Sequence, residues 1–298
     1  MPDRGRALEF GLFVDPRADR YTDTVRHVQL ADRLGLDLAG VQDHPYLAAH
    51  LDTWTLLVDL AARTSRIRVF PDVANLPLRP PAVLAKAAAS LDLVSGGRVD
   101  IGLGAGGSWD GIVAMGGPRR TPPEAVTALA DALVVMRTFW SGRRGLRTDG
   151  ATYALSGVHA GPVPTRRIEL WVGALGPRML ELTGRLADGW LPSSSYVPPQ
   201  QLADRNARID EAATGAGRDP AEVRRLYNVD GTITDGTSHG LFDGPVDQWV
   251  EELVDLALSE GMDTFVFWPR GDTGRQLHRW AQEVVPAVRA DVAQQRSS

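Results

Sequence analysis

Two stretches of the chain carry residue types that could do chemistry. The first is Asp43-His44, where the imidazole can titrate near neutral pH or serve as a structural hydrogen bonder. The second is RVDIGLGAGG, residues 98 to 107, where Val99, Ile101 and Leu103 have strand character. It ends in a glycine-dense loop whose amides can approach an anion without Cβ atoms in the way. The loop spells GxGxxG at Gly102, Gly104 and Gly107, but a dinucleotide fingerprint sits on the first strand of its domain and opens directly into a helix. Here three strand-helix units precede it, and Trp109, Gly111, Gly116, Gly117 and Pro118 hold off the next helix. Crowding inside a barrel is a second reason for glycine at 102 and 104. The only lysine is Lys86, so a phosphate site must be built from arginine or backbone amides. There are no cysteines, which excludes disulfides and thiolate chemistry. No histidine stands at metal-ligand spacing from other ligands, so no metal is expected.

The elements that position these residues follow from periodicity. Leu8, Phe10, Leu12 and Val14 alternate as in a strand, and a helix follows from Thr22 to Leu34. Leu38 to Gln42 is the second strand, with Asp43-His44-Pro45 at its exit and Asp52 as N-cap of the next helix. Ile67 to Phe70 is the third, followed by the loop 72 to 77 and an alanine-rich helix from Pro81 to Leu93. RVDIGLGAGG is the fourth, and Pro122-Pro123 opens a long helix to Trp140. Residues 141 to 165 read as a hairpin excursion. The alternation resumes with strands at 170–172, 189–191, 223–233 and 264–267, and with helices at 178–186, 199–213, 246–258 and 277–288. Eight strands alternating with eight helices predict a single α/β domain over 1–298, a (β/α)8 TIM barrel with its strand exits on one face. An open doubly wound sheet with a second domain is the alternative topology.

Composition narrows the class. Hydrophobic residues make up 43% of the 298 and charged residues 23%, with no apolar run near the roughly 18 residues a membrane span needs. A net charge of -5 argues against a nucleic-acid partner. The start, MPDRGRALEF, shows no apolar signal region, so a cytoplasmic location is expected.

Four blocks give the chain a family likeness: VQDHP at 41 to 45, ANLPLRPPAVLAKAAASLDLVSGGR at 74 to 98, IGLGAGG at 101 to 107 and GALGPRMLELTGRLADGWLP at 173 to 192. In order and spacing they resemble the bacterial luciferase-like family of flavin- and deazaflavin-dependent oxidoreductases built on a TIM barrel. The resemblance implies that Ala105, Gly106 and Gly107 hold the cofactor phosphate together with Gly176, Pro177 and Arg178. A helix N-terminus and an arginine suit that task. Pairing of Arg178 with Glu181 on the helix surface is the competing role for that arginine. The resemblance further implies a catalytic role for His44 beside the reactive ring carbon and a cofactor-binding role for Asp43. It also implies a bulge at Asp72-Val73, with a non-prolyl cis peptide bond, behind the ring, and Ala74 and Asn75 at the ring edge. Trp109, Trp190, Tyr196 and Trp268 are candidates to wall the substrate pocket, although aromatic residues near strand ends also serve as core.

Two departures bear on cofactor and substrate. Sugar-phosphate dehydrogenases of the deazaflavin branch carry a tryptophan four residues after the histidine and a glutamate at the end of the glycine loop. This chain has Ala48 and Gly107. The Asp-His form of the strand-two exit resembles the deazaflavin branch, whereas flavin monooxygenases tend to show Glu-His. The resemblance therefore implies coenzyme F-420, with FMN as the alternative, and hydride transfer to or from a small carbonyl, imine or activated alkene. An FMN-dependent monooxygenase and a non-catalytic flavin-binding barrel subunit are the other two readings. Relatives are commonly dimers, so a homodimer is expected.

Overall fold

A computed structural model describes residues 3–297. Its elements alternate as the periodicity demands. The first three barrel strands are β1 (Glu9–Val14), β2 (Leu38–Val41) and β3 (Arg68–Pro71), the last continued by β4 (Ala74–Asn75). They are interleaved with α1 (Tyr21–Leu34) and α2 (Thr53–Ala62) and followed by α3 (Pro81–Ser95). β5 (Ile101–Gly104) leads through α4 (Trp109–Ala114) to α5 (Pro122–Phe139), and β6 (Leu146–Thr148) with β7 (Leu155–Val158) forms the antiparallel hairpin excursion. β8 (Leu170–Val172), α6 (Pro177–Leu186), β9 (Gly189–Trp190), α7 (Leu202–Gly215) and β10 (Arg224–Ile233) come next. β11 (Asp243–Gly244), α8 (Val246–Leu258), β12 (Thr264–Pro269), α9 (Thr273–Arg279) and α10 (Val285–Arg296) complete the chain.

All barrel pairings are parallel, in the order β3-β2-β1-β12-β10-β9-β8-β5-β4. The ring closes through a bridge between Val69 and Val99 and through β4, whose Ala74 registers with Leu103 of β5. β3 and β4 are thus two halves of the third strand, split by the two residues Asp72-Val73, and the peptide bond between them is cis. This bears out both the TIM barrel and the position of the bulge.

Side chains obey the period-two rule. Phe13, Leu38, Phe70, Trp171, Leu191, Leu226 and Val266 pack together inside the barrel, while their sequence neighbours join the larger core between barrel and helices. The interior is narrow enough that several inward positions must be glycine. A Cβ on Gly11 would lie 2.9 Å from the Leu38 Cβ, and one on Gly189 would lie 2.6 Å from Trp171.

Two stretches differ from expectation. Residues 109–114 form the short helix α4, anchored by the fully buried Ile112. The last helix is broken by a π-turn over Trp280–Val284 before α10 resumes. Pro286, which has no N–H to donate, stands in the first turn after that change of ladder.

Candidate active site

The exits of β2, β3/β4, β5 and β8 converge on one rim, and the bulge at Asp72-Val73 is its centrepiece. Four glycines from two strands and one loop clear the space it fills. A Cβ on Gly102 would lie 2.5 Å from the Pro71 carbonyl oxygen and 3.0 Å from Val73, and one on Gly104 would lie 2.7 Å from Val73. Gly173 contributes a looser 3.4 Å, and on the β2 side a Cβ on Gly40 would come within 2.6 Å of Phe70 and 3.1 Å of Asp72 Oδ2. Gly102 and Gly104 are therefore glycine because of the bulge. Relief of crowding explains them fully.

The glycine loop beyond them is different. Gly106 has φ of +109°, a conformation L side chains avoid, and Gly107 is exposed with open space where a Cβ would point. Because Leu103 registers with Val172, this loop and the 173–178 turn leave adjacent strands side by side. Gly176 is the N-cap of α6, with no side chain capping it, and Pro177 is its first residue. The backbone amides of Gly106, Gly107 and Arg178 make no hydrogen bond among the described residues. Arg178 is exposed and has no acidic partner among the described residues, and Glu181 pairs instead with Arg208 at 3.2 Å. Spare amides, a helix N-terminus and a guanidinium thus come together at these two adjacent strand exits. A second arginine adds to them. Arg205 of α7 donates to the Leu175 carbonyl and to Gln201, and it has no acidic partner among the described residues. No motif marked Arg205, because it lies on a polar helix remote in sequence from the turn it braces.

His44 sits at the exit of β2 as the middle ring of a stack. Tyr46 lies 5.5 Å away at 18° and His50 6.3 Å away at 13°. Tyr46 in turn packs on Gly111 of α4, tying the β2 exit to the loop after β5. Neither ring nitrogen of His44 bonds to a group of the described chain. Burial holds the imidazole below the usual histidine value, with His50 adding to the shift and Asp43 opposing it. This favours the neutral imidazole, with one nitrogen to donate and one to accept.

Asp43 has a different place from the one expected of a cofactor ligand. It is 1% exposed, and its carboxylate accepts from Arg79 Nε and Nη2 at 2.6 and 2.8 Å and from the Asn75 amide at 2.9 Å. Arg79 also reaches Asp52, the N-cap of α2, at 2.7 Å. The bidentate pair thus ties β2, β4 and α2 together behind the rim. Ala74 is likewise a correction. Its side chain is fully buried in the barrel-helix core and cannot reach a ring edge. Asn75 is 6% exposed, and its side-chain oxygen has no partner. Val73 is half-buried and packs against the interior cluster.

The aromatic candidates divide. Trp190 is fully buried in the outer core and donates to the Ala174 carbonyl at 2.9 Å, so it is not a pocket wall. Trp109 packs its ring over Gly106 and supports the loop. Tyr196 is exposed near Tyr46, and Trp268 stacks on Phe13 at 4.3 Å. Trp268, Phe13, Gln42 and His50 line a cavity of about 450 Å³ at the ends of β1 and β12, which extends between α1 and α9 past His27. Lys86 donates to the Gly161 carbonyl at 3.2 Å, against the hairpin excursion and away from the mouth. Among the described residues no three histidine or acidic side chains are grouped to hold a metal, and no helix is long and apolar enough to cross a membrane.

A parallel barrel with spare amides, a helix N-terminus and an unpartnered histidine at neighbouring strand exits carries its open groups on the C-terminal face, where TIM-barrel enzymes work. The particular family is set by comparison: residues 8–236 match the luciferase-like monooxygenase model, and the chain belongs to that family of flavin- or deazaflavin-dependent oxidoreductases. A phthiodiolone/phenolphthiodiolone dimycocerosates ketoreductase from Mycobacterium sp. (strain JLS) is 32% identical over 205 residues, 66% of this chain and 53% of that one. The chain spans about half the length of the curated relatives it matches. In fold it is similar to an F420-dependent secondary alcohol dehydrogenase in complex with an F420-acetone adduct, with a TM-score of 0.84 and 18% identity over 95% of this chain and 99% of that one. It is also similar to the oxygenating constituent of 3,6-diketocamphane monooxygenase from Pseudomonas putida in complex with FMN, with a TM-score of 0.73 and 17% identity over 94% and 99%.

Proposed function

We propose that the chain is an oxidoreductase that uses coenzyme F-420 and transfers a hydride to or from a small carbonyl, imine or activated alkene. The observation that carries this reading is the half-buried, unpartnered His44 at the same rim as the spare amides of the glycine loop, Arg178 and the bulge. The residues fit a phosphate-bearing flat ring. Gly106, Gly107, the α6 N-terminus and Arg178 would hold the phosphate, with Arg205 bracing the turn, and the half-exposed Val73 would support the ring. When bound, the cofactor supplies the hydride chemistry. His44 holds or accepts the proton that accompanies the hydride at the substrate oxygen or nitrogen, and its ring stack fixes its plane. Asp43 and Arg79 act one layer back, keeping β4 and the bulge in register.

Preference for F-420 rests on the Asp43-His44 exit, which resembles the deazaflavin branch. The ketone chemistry in the names of the mycobacterial ketoreductase and the alcohol dehydrogenase agrees with a carbonyl-class substrate. A sugar phosphate fits poorly, because Lys86 is turned away from the mouth and Gly107 leaves the loop without a side chain. Fluorescence titration of the purified protein with F-420 and with FMN tests the reading. Micromolar binding of F-420 with much weaker binding of FMN is the expected result. The reverse preference would replace it with an FMN-dependent monooxygenase, and tight binding without turnover on a carbonyl, imine and alkene panel would replace it with a non-catalytic binding barrel.

A further inference from the structure

Asp72, the first residue of the bulge, is a buried acid without a cation. Its side chain points inward, is 7% exposed, and occupies the space left by the missing side chain of Gly40. One carboxyl oxygen accepts from Asn228 Nδ2 at 3.2 Å, and the other, Oδ2, has no partner. Asn228, on β10, also has an unpartnered side-chain oxygen, and its amide is shared with Ser193 Oγ at 3.1 Å. The two bonded side chains therefore hold two orphan acceptors and no spare donor. A carboxylate in that setting pays desolvation with a single amide in return, whereas a carboxylic acid supplies the donor the pair lacks.

The groups facing Asp72 do not relieve this. Gly40 faces it from β2, Phe70 lies beside it on β3, and Asn228 comes from β10 with Ser193 from the loop after β9; none of these titrates. The ionisable groups on the same elements are engaged elsewhere or lie beyond the strand ends. Asp43 is held by Arg79, Asp230 by Arg270 at 2.8 Å, and Arg225 by Asp210 at the opposite end of β10. His44 is stacked between Tyr46 and His50. Burial is the dominant influence on Asp72 and pushes its carboxyl up to about 7, with the Asn228 bond opposing it weakly.

We propose that Asp72 is a proton-linked positioning residue: it sits under the ring platform as a neutral carboxylic acid, and occupancy of the platform by a flavin-type ring obliges it to keep or regain its proton. The inference rests on the proposed use of the mouth by such a ring. A ring seated over Val73 removes the remaining water from the bulge, so the acid form is favoured further. The sign follows from linkage. Below pH 7 the acid is already neutral and binding moves no proton. Above pH 7 the free protein carries the carboxylate, and each binding event takes one proton from solvent onto Asp72. Affinity then weakens about tenfold between pH 6 and pH 8 because of this group.

Calorimetric titration with F-420 and with FMN at pH 8, in buffers of different ionisation enthalpy, reads the proton count directly. The expected result is an uptake greater by close to one proton in the wild type than in Asp72→Asn, with the roughly tenfold loss of affinity from pH 6 to pH 8 abolished in the variant. Equal proton counts in the two proteins would overturn the proposal. Infrared difference spectroscopy of the ligand-free wild type gives an independent reading should the variant fold poorly. A protonated carboxyl band that titrates away near pH 7 supports the neutral acid, and its absence at pH 6 would overturn it. If neither ring binds, the functional reading fails in the calorimetry, while the infrared experiment still decides the state of Asp72.

Discussion

The two ends of the barrel treat charge in opposite ways. At the N-terminal end, acidic residues stand where strands begin, and each is met by arginine and a backbone amide. Asp100, fully buried, accepts from Arg68, Arg166 and the Glu169 amide. Asp188 accepts from Arg137, Arg167 and the Leu170 amide, and Asp263 from Arg224 and the Arg225 amide. Each acid thus fastens the start of a neighbouring strand while its charge is neutralised. At the C-terminal end Asp43 is met in the same way by Arg79 and the Asn75 amide, but several other groups around it are left open. His44 bonds to nothing in the described chain, Arg178 has no acid, the Gly106, Gly107 and Arg178 amides have no acceptor, and Asp72 has no cation. The satisfied end holds the barrel together, and the unsatisfied end is where the proposed cofactor would complete the bonding.

That contrast is open to attack by mutation. The largest effect is expected at His44. His44→Ala lowers kcat by about 10²- to 10⁴-fold while leaving the affinity for the cofactor close to that of the wild type. In the oxidation direction, where the neutral imidazole takes the proton, the acid limb of the wild-type profile has its midpoint below 6.5, because burial lowers this histidine. Stopped-flow turnover against pH checks both points. At the opposite end, Asp100→Ala leaves Arg68 and Arg166 facing one another without their shared acid. It is expected to cost about 3 to 5 kcal/mol of folding stability, read by urea denaturation, while the folded fraction binds cofactor normally. An Asp100 variant that lost binding without losing stability would erase the distinction between the two ends.

Much of the rim was legible from sequence because its signals are local. The Asp43-His44 exit, the glycine loop and the 176–178 turn each sit within a few consecutive residues, and strand alternation placed them on one face. The bulge was legible only through the family resemblance. Its cradle was not, since Gly40, Gly102, Gly104 and Gly173 are far apart in the chain and meet only once β2, β5 and β8 are adjacent. Asp43, Ala74 and Trp190 lie at strand exits, but the period-two alternation or a partner such as Arg79 turns their side chains away from the mouth. Position along a strand is readable from a sequence; the identity of a long-range partner is not. For the same reason Arg205 and the Asp72–Asn228 pair emerged only in three dimensions.

The most direct test of the open end is the phosphate itself. Binding of F-420 and of its deazaflavin core lacking the phosphate is measured by fluorescence titration for the wild type and Arg178→Ala. The anion site predicts that the variant loses about tenfold in affinity for the phosphate-bearing cofactor and nothing for the phosphate-free core. An equal loss for both ligands, or no loss for F-420, would contradict it.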